Sequence, residues 1–412
     1  MDLTPEFYAA ADPQVSPSGK ELLFAAMRRR RGHWQIWRMA AAGGAARQLT
    51  RCAADCQRAA WLPDGHIVYT LSGGRAARLG SQLYRARADG AHPHPITFGP
   101  GNFRLEAVLR SGRLLVSAAA PLDRRAAAAP TRALYTLRPD GSTLRLFRWQ
   151  YPAHAAPTSA RELPDGTVIF VAQPSRPAAG PAAKMGKLAW FPPQAARAAL
   201  LPGAKPGLDS VRLLDGRRWL LSGSAATSGC AIYIYDSAAK ALVTRVYQAP
   251  RMACAQATPL EAQPAPWIYH SILHLQMASG RVVCLNAYRS TLAPGGSWRR
   301  GRLAQVRVLA LRGGRRVTLG AAPVQPDGSF YLRLPADLPL SFELLDARGA
   351  LVQAQRSWFW LRPGEDAGCQ GCHENPALAP VNRWPLALKR QAGAIALGLG
   401  RTASNRAPMR PR

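Results

Sequence analysis

The chain has 412 residues, 48% of them hydrophobic, so it can bury a large core and is long enough for two or three domains. Its 54 Lys and Arg against 23 Asp and Glu give a net charge of +31, which favours acidic partners such as anionic lipid, nucleic acid or a negatively charged redox protein. Nucleic-acid binding is not expected, because no recognition helix or ribonucleoprotein motif accompanies the scattered arginines. No apolar run reaches 18 residues, so no transmembrane span is expected.

A repeated turn of the Pro-Asp-Gly type punctuates the first two thirds of the chain. Its glycines stand 46, 47, 54 and 50 residues apart, at Gly19, Gly65, Gly112, Gly166 and Gly216. A short apolar strand follows each turn, and a second strand follows in most units. Four strands per unit at this period are typical of a β-propeller blade.

We therefore predict an all-β fold that begins with a β-propeller over residues 1–265. Five blades are readable, and residues 237–290 offer a sixth through the strand-like segments 242–247 and 281–285. The repeats resemble the WD40-like blades of the TolB-type propeller family.

The pattern changes at about residue 291. Alternating apolar residues at Phe330, Leu332 and Leu334 indicate a half-buried sheet. Further strands are predicted at 305–309, 316–319 and 340–345. We predict a small β-sandwich in a domain of residues 266–390, followed by a disordered basic tail of residues 391–412.

The run Cys369-Gln370-Gly371-Cys372-His373 carries the most specific chemistry in the sequence. Two thiols three positions apart can add to the two vinyl groups on one edge of a porphyrin, and the adjacent imidazole can ligate the iron. The motif predicts one covalent haem c, held by Cys369 and Cys372, with His373 as axial ligand. The alternatives are a disulfide between the two cysteines and a zinc site, although no second ligand pair follows.

Haem of this type is attached after export, so a periplasmic or otherwise exported location is expected. The acidic start, Met1 to Glu6, carries no signal peptide, so we expect the start to be truncated or mis-assigned. Cys52 and Cys56 are either a small disulfide or two buried thiols.

The sequence does not identify the ligand on the side of the iron opposite His373. Candidates near the predicted domain junction are Met252, His270, His274, Met277 and Tyr288. The aromatic run 358–360 and Trp384 are candidates for the haem wall.

Several stretches of the second domain, among them Val283–Ser290, Pro323–Phe330, Arg362–Glu365 and Cys369–Glu374, resemble the middle domain of the hydrazine synthase alpha subunit. The resemblance implies a propeller followed by a haem-bearing β domain in an exported protein. It also implies a tyrosine ligand just after the motif, and residues 374–383 contain no tyrosine.

Three functions remain open. The first is a monohaem c-type cytochrome in which a propeller scaffold serves one-electron transfer to an acidic redox partner. The second is a haem-dependent oxidoreductase acting on small nitrogen or oxygen species, as in the alpha subunit of hydrazine synthase. The third is a non-catalytic, TolB-like interaction protein whose motif cysteines form only a disulfide.

Overall fold

The fold is given by a computed structural model. It describes residues 2–73, 79–119, 132–147, 155–174, 187–191, 199–201, 208–225, 229–249, 256–355, 357–372 and 383–399. The chain divides into two units: Met1–Thr97 with Gly101–His270, and Phe98–Pro100 with Ser271–Arg412. The boundary predicted from sequence stands five residues earlier, after residue 265. No helix among the described residues is long and apolar enough to cross a membrane.

The described residues of the first unit form five four-stranded antiparallel sheets, each built from four consecutive strands. The first two sheets are β1 (Ala9–Val15), β2 (Glu21–Met27), β3 (Gln35–Ala40) and β4 (Arg47–Gln48), then β5 (Asp55–Trp61), β6 (His66–Ser72), β7 (Gln82–Arg87) and β8 (His94–Pro95). The third is β9 (Arg104–Val108), β10 (Leu114–Ala119), β11 (Arg132–Leu137) and β12 (Arg145–Leu146). The last two are β13 (Ala155–Glu162), β14 (Val168–Pro174), β15 (Lys187–Phe191) and β16 (Ala199–Leu200), then β17 (Leu208–Leu213), β18 (Arg218–Ala225), β19 (Gly229–Asp236) and β20 (Ala241–Ala249).

These sheets are the blades predicted from the turn repeat, so the all-β propeller is confirmed. The repeated turns form because Gly19, Gly65, Gly112 and Gly166 all adopt a positive φ, which only glycine takes without strain. Apolar clusters lie between neighbouring blades. One such cluster joins Ile36 of the first blade to Tyr69 of the second.

The described residues of the first unit contain no sixth blade. Segment 242–247 is part of β20, the outer strand of the fifth blade, and 281–285 falls at β21 of the second unit. After the fifth blade, residues 256–270 run without regular secondary structure. The two segments predicted as sixth-blade strands therefore belong to other sheets, the first as an edge strand and the second as an interior strand.

Cys52 and Cys56 are thiols rather than a disulfide. A hydrogen bond from Cys56 lowers the pKa of Cys52 to about 7, while the same contact and burial raise the pKa of Cys56. Cys52 is therefore the acidic member of the pair, and Cys56 keeps its proton.

The second unit is a sandwich of two four-stranded sheets around one core, as predicted. One sheet has the order β27 (Asp366–Cys369), β21 (Ser279–Cys284), β24 (Phe330–Pro335), β28 (Ile395–Ala396). The other has the order β23 (Arg315–Pro323), β22 (Gln305–Arg312), β25 (Leu340–Leu345), β26 (Leu351–Ala354). Two short 3-10 helices span Pro294–Gly296 and Leu386–Lys389.

Residues 391–399, the first part of the predicted disordered tail, are described by the structure and include a short strand. Ile395 and Ala396 pair with β24, and Ile395 and Leu397 pack against the sandwich core. Burial of these two apolar side chains holds the segment in place, a contribution that composition alone does not reveal. Residues 400–412 lie outside the described part of the chain.

Candidate functional site

The Cys-x-x-Cys-His motif begins at the end of an edge strand of the sandwich. Strand β27 pairs in parallel with β21, in a register that places Cys369 beside Cys284. The carbonyl of Cys369 accepts a hydrogen bond from Leu285 N–H at 2.9 Å, which extends the ladder past the strand end. The backbone of the first motif cysteine is therefore fixed by ordinary sheet hydrogen bonds.

An ion pair lies at the other end of the same two strands. Arg281 holds both carboxylate oxygens of Asp366, with each N–O distance 2.6 Å. This hydrogen bonding raises the pKa of Arg281 above its ordinary value. Both side chains are largely exposed, so solvent screens the pair and its contribution to stability is small.

The second cysteine is held by its backbone on both sides. Cys372 N–H donates to the carbonyl of Arg289 at 3.0 Å, and Gln353 Nε2 donates to the carbonyl of Cys372 at 3.4 Å. Gln353 is buried, and its Oε1 accepts from Ser290 Oγ and Trp298 Nε1 at 2.8 Å each. No sequence pattern points to Gln353, because its role depends on contacts with residues 19 to 63 positions away.

The segment that follows β21 supports the motif, because its backbone is hydrogen-bonded to both motif cysteines. Ala287 N–H donates to the carbonyl of Gly328 at 2.7 Å, and Gly328 adopts φ +85°. A Cβ at Gly328 would clash with Asn286 and Tyr288, so the Pro-Asp-Gly turn needs glycine here for close approach. The turn also binds the chain beyond the motif, since Asp327 accepts from Leu386 N–H at 2.9 Å.

The donor set fits a thioether-bound haem as far as the described residues reach. Cys369 is exposed and Cys372 is half-buried against the sandwich core. Between them, Gln370 Oε1 is buried without a hydrogen-bond partner, which indicates a loop whose polar groups are not yet fully satisfied. His373, the predicted axial ligand, lies outside the described residues. In the part of the chain that is described, no three His, Cys, Asp or Glu side chains converge as a metal site.

The candidates for the distal ligand are scattered. Tyr288 is buried, and its hydroxyl donates to Leu303 O at 3.4 Å and accepts from Gly301 N–H at 3.1 Å. His274 and Met277 are exposed in the second unit. His270 is exposed in the first unit, and neither histidine lies on a helix or a strand. Met252 lies outside the described residues.

The aromatic candidates for a haem wall have other contacts. Trp360 is buried and packs edge-on against Phe98 at 6.3 Å between ring centroids. Phe359 packs on Phe342 at 4.9 Å, and Arg316 lies over Trp358. Trp384 is 67% exposed. Phe359 therefore packs against the sandwich core, whereas Trp384 faces solvent.

Fold and motif together define a class of protein: a β-propeller followed by a β-sandwich that presents a Cys-x-x-Cys-His sequence after an edge strand. Residues 281–374 match the family model described as the hydrazine synthase alpha subunit middle domain. The matched residues include Cys369, Cys372 and His373.

A solved structure extends the similarity over both units. A chain of Kuenenia stuttgartiensis hydrazine synthase superposes with a TM-score of 0.82 at 19% sequence identity, covering 94% of this chain and 66% of that chain. At that identity the similarity shows the fold, and this chain spans about two thirds of the length of its match. TolB from Acinetobacter baumannii matches with a TM-score of 0.43 at 13% identity, over 58% of this chain and 55% of that one. No curated protein matches the sequence.

Proposed function

We propose that this protein is a haem-dependent oxidoreductase that acts on small nitrogen or oxygen species, with one haem c bound by thioethers to Cys369 and Cys372 and ligated by His373. The observation that carries the proposal is the family match over residues 281–374, which contains the whole motif together with the strand that seats it. When bound, the haem supplies an iron centre for electron exchange and for binding small molecules at an axial position.

The contribution of this chain is to hold the two thiols at a fixed separation. Pairing of β27 with β21 fixes the backbone of Cys369, and Arg289 and Gln353 fix that of Cys372. Because the backbones of both cysteines are already fixed, their side chains lose little further conformational entropy when they attach to the rigid porphyrin. The loop is thereby suited to covalent attachment along one porphyrin edge.

The described candidates for a distal ligand support an open coordination position. Tyr288 would have to give up two hydrogen bonds before it bound iron, and leaving their partners unsatisfied in the core is unfavourable. His274 and Met277 are exposed on an irregular segment. A haem held by this motif would bind small molecules at its iron if no side chain of the protein took that position.

A second function is favoured by the charge. A net charge of +31 suits rapid encounter with an acidic redox partner, as expected for one-electron transfer by an exported cytochrome. Both functions require the same covalent haem and the same exported location. They differ in whether the iron binds external ligands.

The experiment is expression of the full chain behind an export signal in a host with c-type haem maturation. Covalent haem is measured by staining after denaturing electrophoresis. Wild type and a Cys52→Ser control are expected to stain, whereas Cys369→Ser with Cys372→Ser is not. Absence of covalent haem in wild type would contradict both functions.

Spectroscopy of the loaded protein then separates them. A spectrum that shifts on addition of hydroxylamine or nitric oxide supports the oxidoreductase. A six-coordinate spectrum inert to both, with one reversible one-electron couple, supports the cytochrome instead.

A further inference from the structure

The propeller unit encloses a cavity of about 600 Å³, which lies in the size range of small-molecule sites. The inner strands β1, β5, β9, β13 and β17 line it together with residues 256–266, a segment we call the strap. Gln263 N–H in the strap donates to Pro17 O at 3.0 Å, and Trp267 N–H just beyond it donates to Arg110 O at 2.9 Å. The chain therefore crosses between the turns of the first and third blades, at the turn end of the unit.

All five inner strands carry a bulge. In β1, β5, β9 and β13 it follows the second residue pair from the turn, whereas in β17 it follows the fourth. Asp12, Arg58 and Ser159 stand at three of these bulges with positive φ, and Gln256 in the strap has the same conformation. Non-glycine residues rarely adopt this backbone, and bulges re-aim side chains. Because this conformation recurs around the cavity, the fold places a ring of polar side chains on the cavity wall.

The acidic members of the ring are already satisfied. Asp12 accepts from Gln256 Nε2 at 2.6 Å and from Arg58 N–H at 3.1 Å. Glu106 is buried and accepts from Ser117 Oγ at 2.6 Å and Arg58 Nη1 at 3.2 Å. Both carboxylates therefore hydrogen-bond within the ring, and they attract the other arginines, Arg161 and Arg212, only at longer range.

Two arginines face the cavity without a counterion. Arg161 donates through Nη1 to the carbonyls of Glu106 and Ala160, and Arg212 donates through Nη1 to Ser159 Oγ and Val211 O. No carboxylate of the described residues lies within salt-bridge distance of either guanidinium. Arg212 Nε is buried and has no hydrogen-bond partner.

The electrostatic cost of this arrangement is visible at both groups. Burial, followed by repulsion from Arg212, lowers the pKa of Arg161 well below its ordinary value. Burial lowers the pKa of Arg212 to about 10. The remaining charged side chains that line the cavity are Arg104, Arg110, Glu162, Asp209, Asp215 and Glu261. Of these, Glu162 accepts from Arg110 N–H, and Asp215 is bonded to Arg218.

We propose that the propeller cavity is a binding site for a small oxyanion, a carboxylate or phosphate compound, held between Arg161 and Arg212. Planar guanidinium groups match the paired oxygens of such anions, and the bonds formed are charge-assisted. The unsatisfied Arg212 Nε would gain its acceptor, and the repulsion between the two arginines would be neutralised. The site is independent of the haem motif.

The test is thermal unfolding of the full chain in malonate, phosphate or chloride at matched ionic strength. Malonate or phosphate is expected to raise the transition temperature in a saturable way, and chloride is not. Arg161→Gln and Arg212→Gln are each expected to weaken the apparent affinity at least tenfold. Arg245→Gln, an exposed arginine on β20, is the control and leaves it unchanged.

The two probes distinguish the source of the anion, since saturation by malonate alone marks a carboxylate ligand and by phosphate alone a phosphate ligand. No saturable effect in wild type, or equal effects in wild type and both glutamine variants, would overturn the proposal. If a glutamine variant fails to fold, Arg212→Lys keeps the charge but loses Nε and is expected to weaken binding by a similar factor. Unchanged binding in that variant would likewise overturn it.

Discussion

Cys284 and Cys369 are direct partners in the parallel pairing of β21 and β27, so the strand that carries the first motif cysteine is held by a segment 85 residues earlier in the chain. Cys284 is buried in the sandwich core, whereas Cys369 is exposed at the strand end. Folding of the sandwich therefore fixes the backbone of the motif through the ladder that joins a core strand to an edge strand.

Gln353 is expected to be the main side-chain support of the motif loop. Gln353→Ala would remove the donor to Cys372 O and leave Ser290 and Trp298 without their acceptor. We expect a loss of roughly 1–3 kcal/mol in the free energy of unfolding and a lower yield of covalent haem. Urea unfolding and haem staining measure the two effects.

Gln305→Ala is the matched control, because this glutamine is exposed on β22 of the same sandwich. It should change stability by no more than about 0.5 kcal/mol. Equal behaviour of the two variants would contradict the role assigned to Gln353.

The acid stability of the fifth blade should depend on Arg217. Its side chain donates to both oxygens of Asp236 at 2.9 Å, and with backbone N–H donors it lowers the pKa of Asp236 to about 2. A depressed carboxyl pKa stabilises the folded state above the ordinary value near 3.8, and that contribution disappears as the pH falls through about 2.

Arg217→Gln should therefore raise the pKa of Asp236 towards its ordinary value. The stabilising contribution of Asp236 should then disappear at a higher pH than in wild type. NMR titration of the carboxyl measures the shift. Arg245→Gln on the same sheet should leave the titration unchanged, and an unshifted curve in Arg217→Gln would count against the assignment.

Cys52 should be a reactive thiol near neutral pH. Its pKa of about 7 comes first from the hydrogen bond with Cys56, and the thiolate is the reactive form. Alkylation of Cys52 by iodoacetamide, followed by peptide mass spectrometry, should show a midpoint near pH 7. Cys56→Ala should move that midpoint towards 9, whereas Cys56→Ser keeps a hydroxyl donor and should move it less. A midpoint near 9 in wild type would contradict this prediction.

Gln256 is expected to hold the strap to the first blade. It receives Asp12 N–H at 2.5 Å and donates to Asp12 Oδ1 at 2.6 Å, and a hydrogen bond to a charged group contributes about 2 kcal/mol. Gln256→Ala should speed hydrogen exchange of the amides of β1 by local opening. Gln263→Ala, an exposed position on the same strap, should not. Exchange confined to the second unit would argue against the assignment.

The features that could be predicted from the sequence are those set by interactions between residues close together in the chain. The turns at Gly19 and Gly65 are set by local backbone chemistry, so the blade repeat was predictable. His270 and His274 were candidate ligands by their position in the sequence, but neither lies on a helix or a strand. Segment 242–247 is a strand as expected. Its partner is β19 of the fifth blade, and partner choice depends on distant contacts.

The candidate site divides in the same way. Cys369 and Cys372 are recognisable from spacing alone, because the chemistry of the porphyrin edge fixes that spacing. The support from Gln353 and the counterion-free pair Arg161 and Arg212 arise only in the folded chain. Comparison of the blades could have indicated part of the cavity lining, since charged residues stand at Asp12, Arg58 and Glu106, spaced 46 and 48 residues apart.

The contact between Asp12 and Gln256 also affects the order of folding during synthesis. Its two residues are 244 positions apart, and no shared strand joins the first and last described blades. At 5–20 residues per second, the ribosome needs roughly 10–50 seconds between the synthesis of one partner and the other. During that interval the inner edge of the first blade has no Gln256 to bind. The nascent propeller is thus an open arc for most of its synthesis, and the first blade is the part with the longest exposure to mispairing or to chaperones.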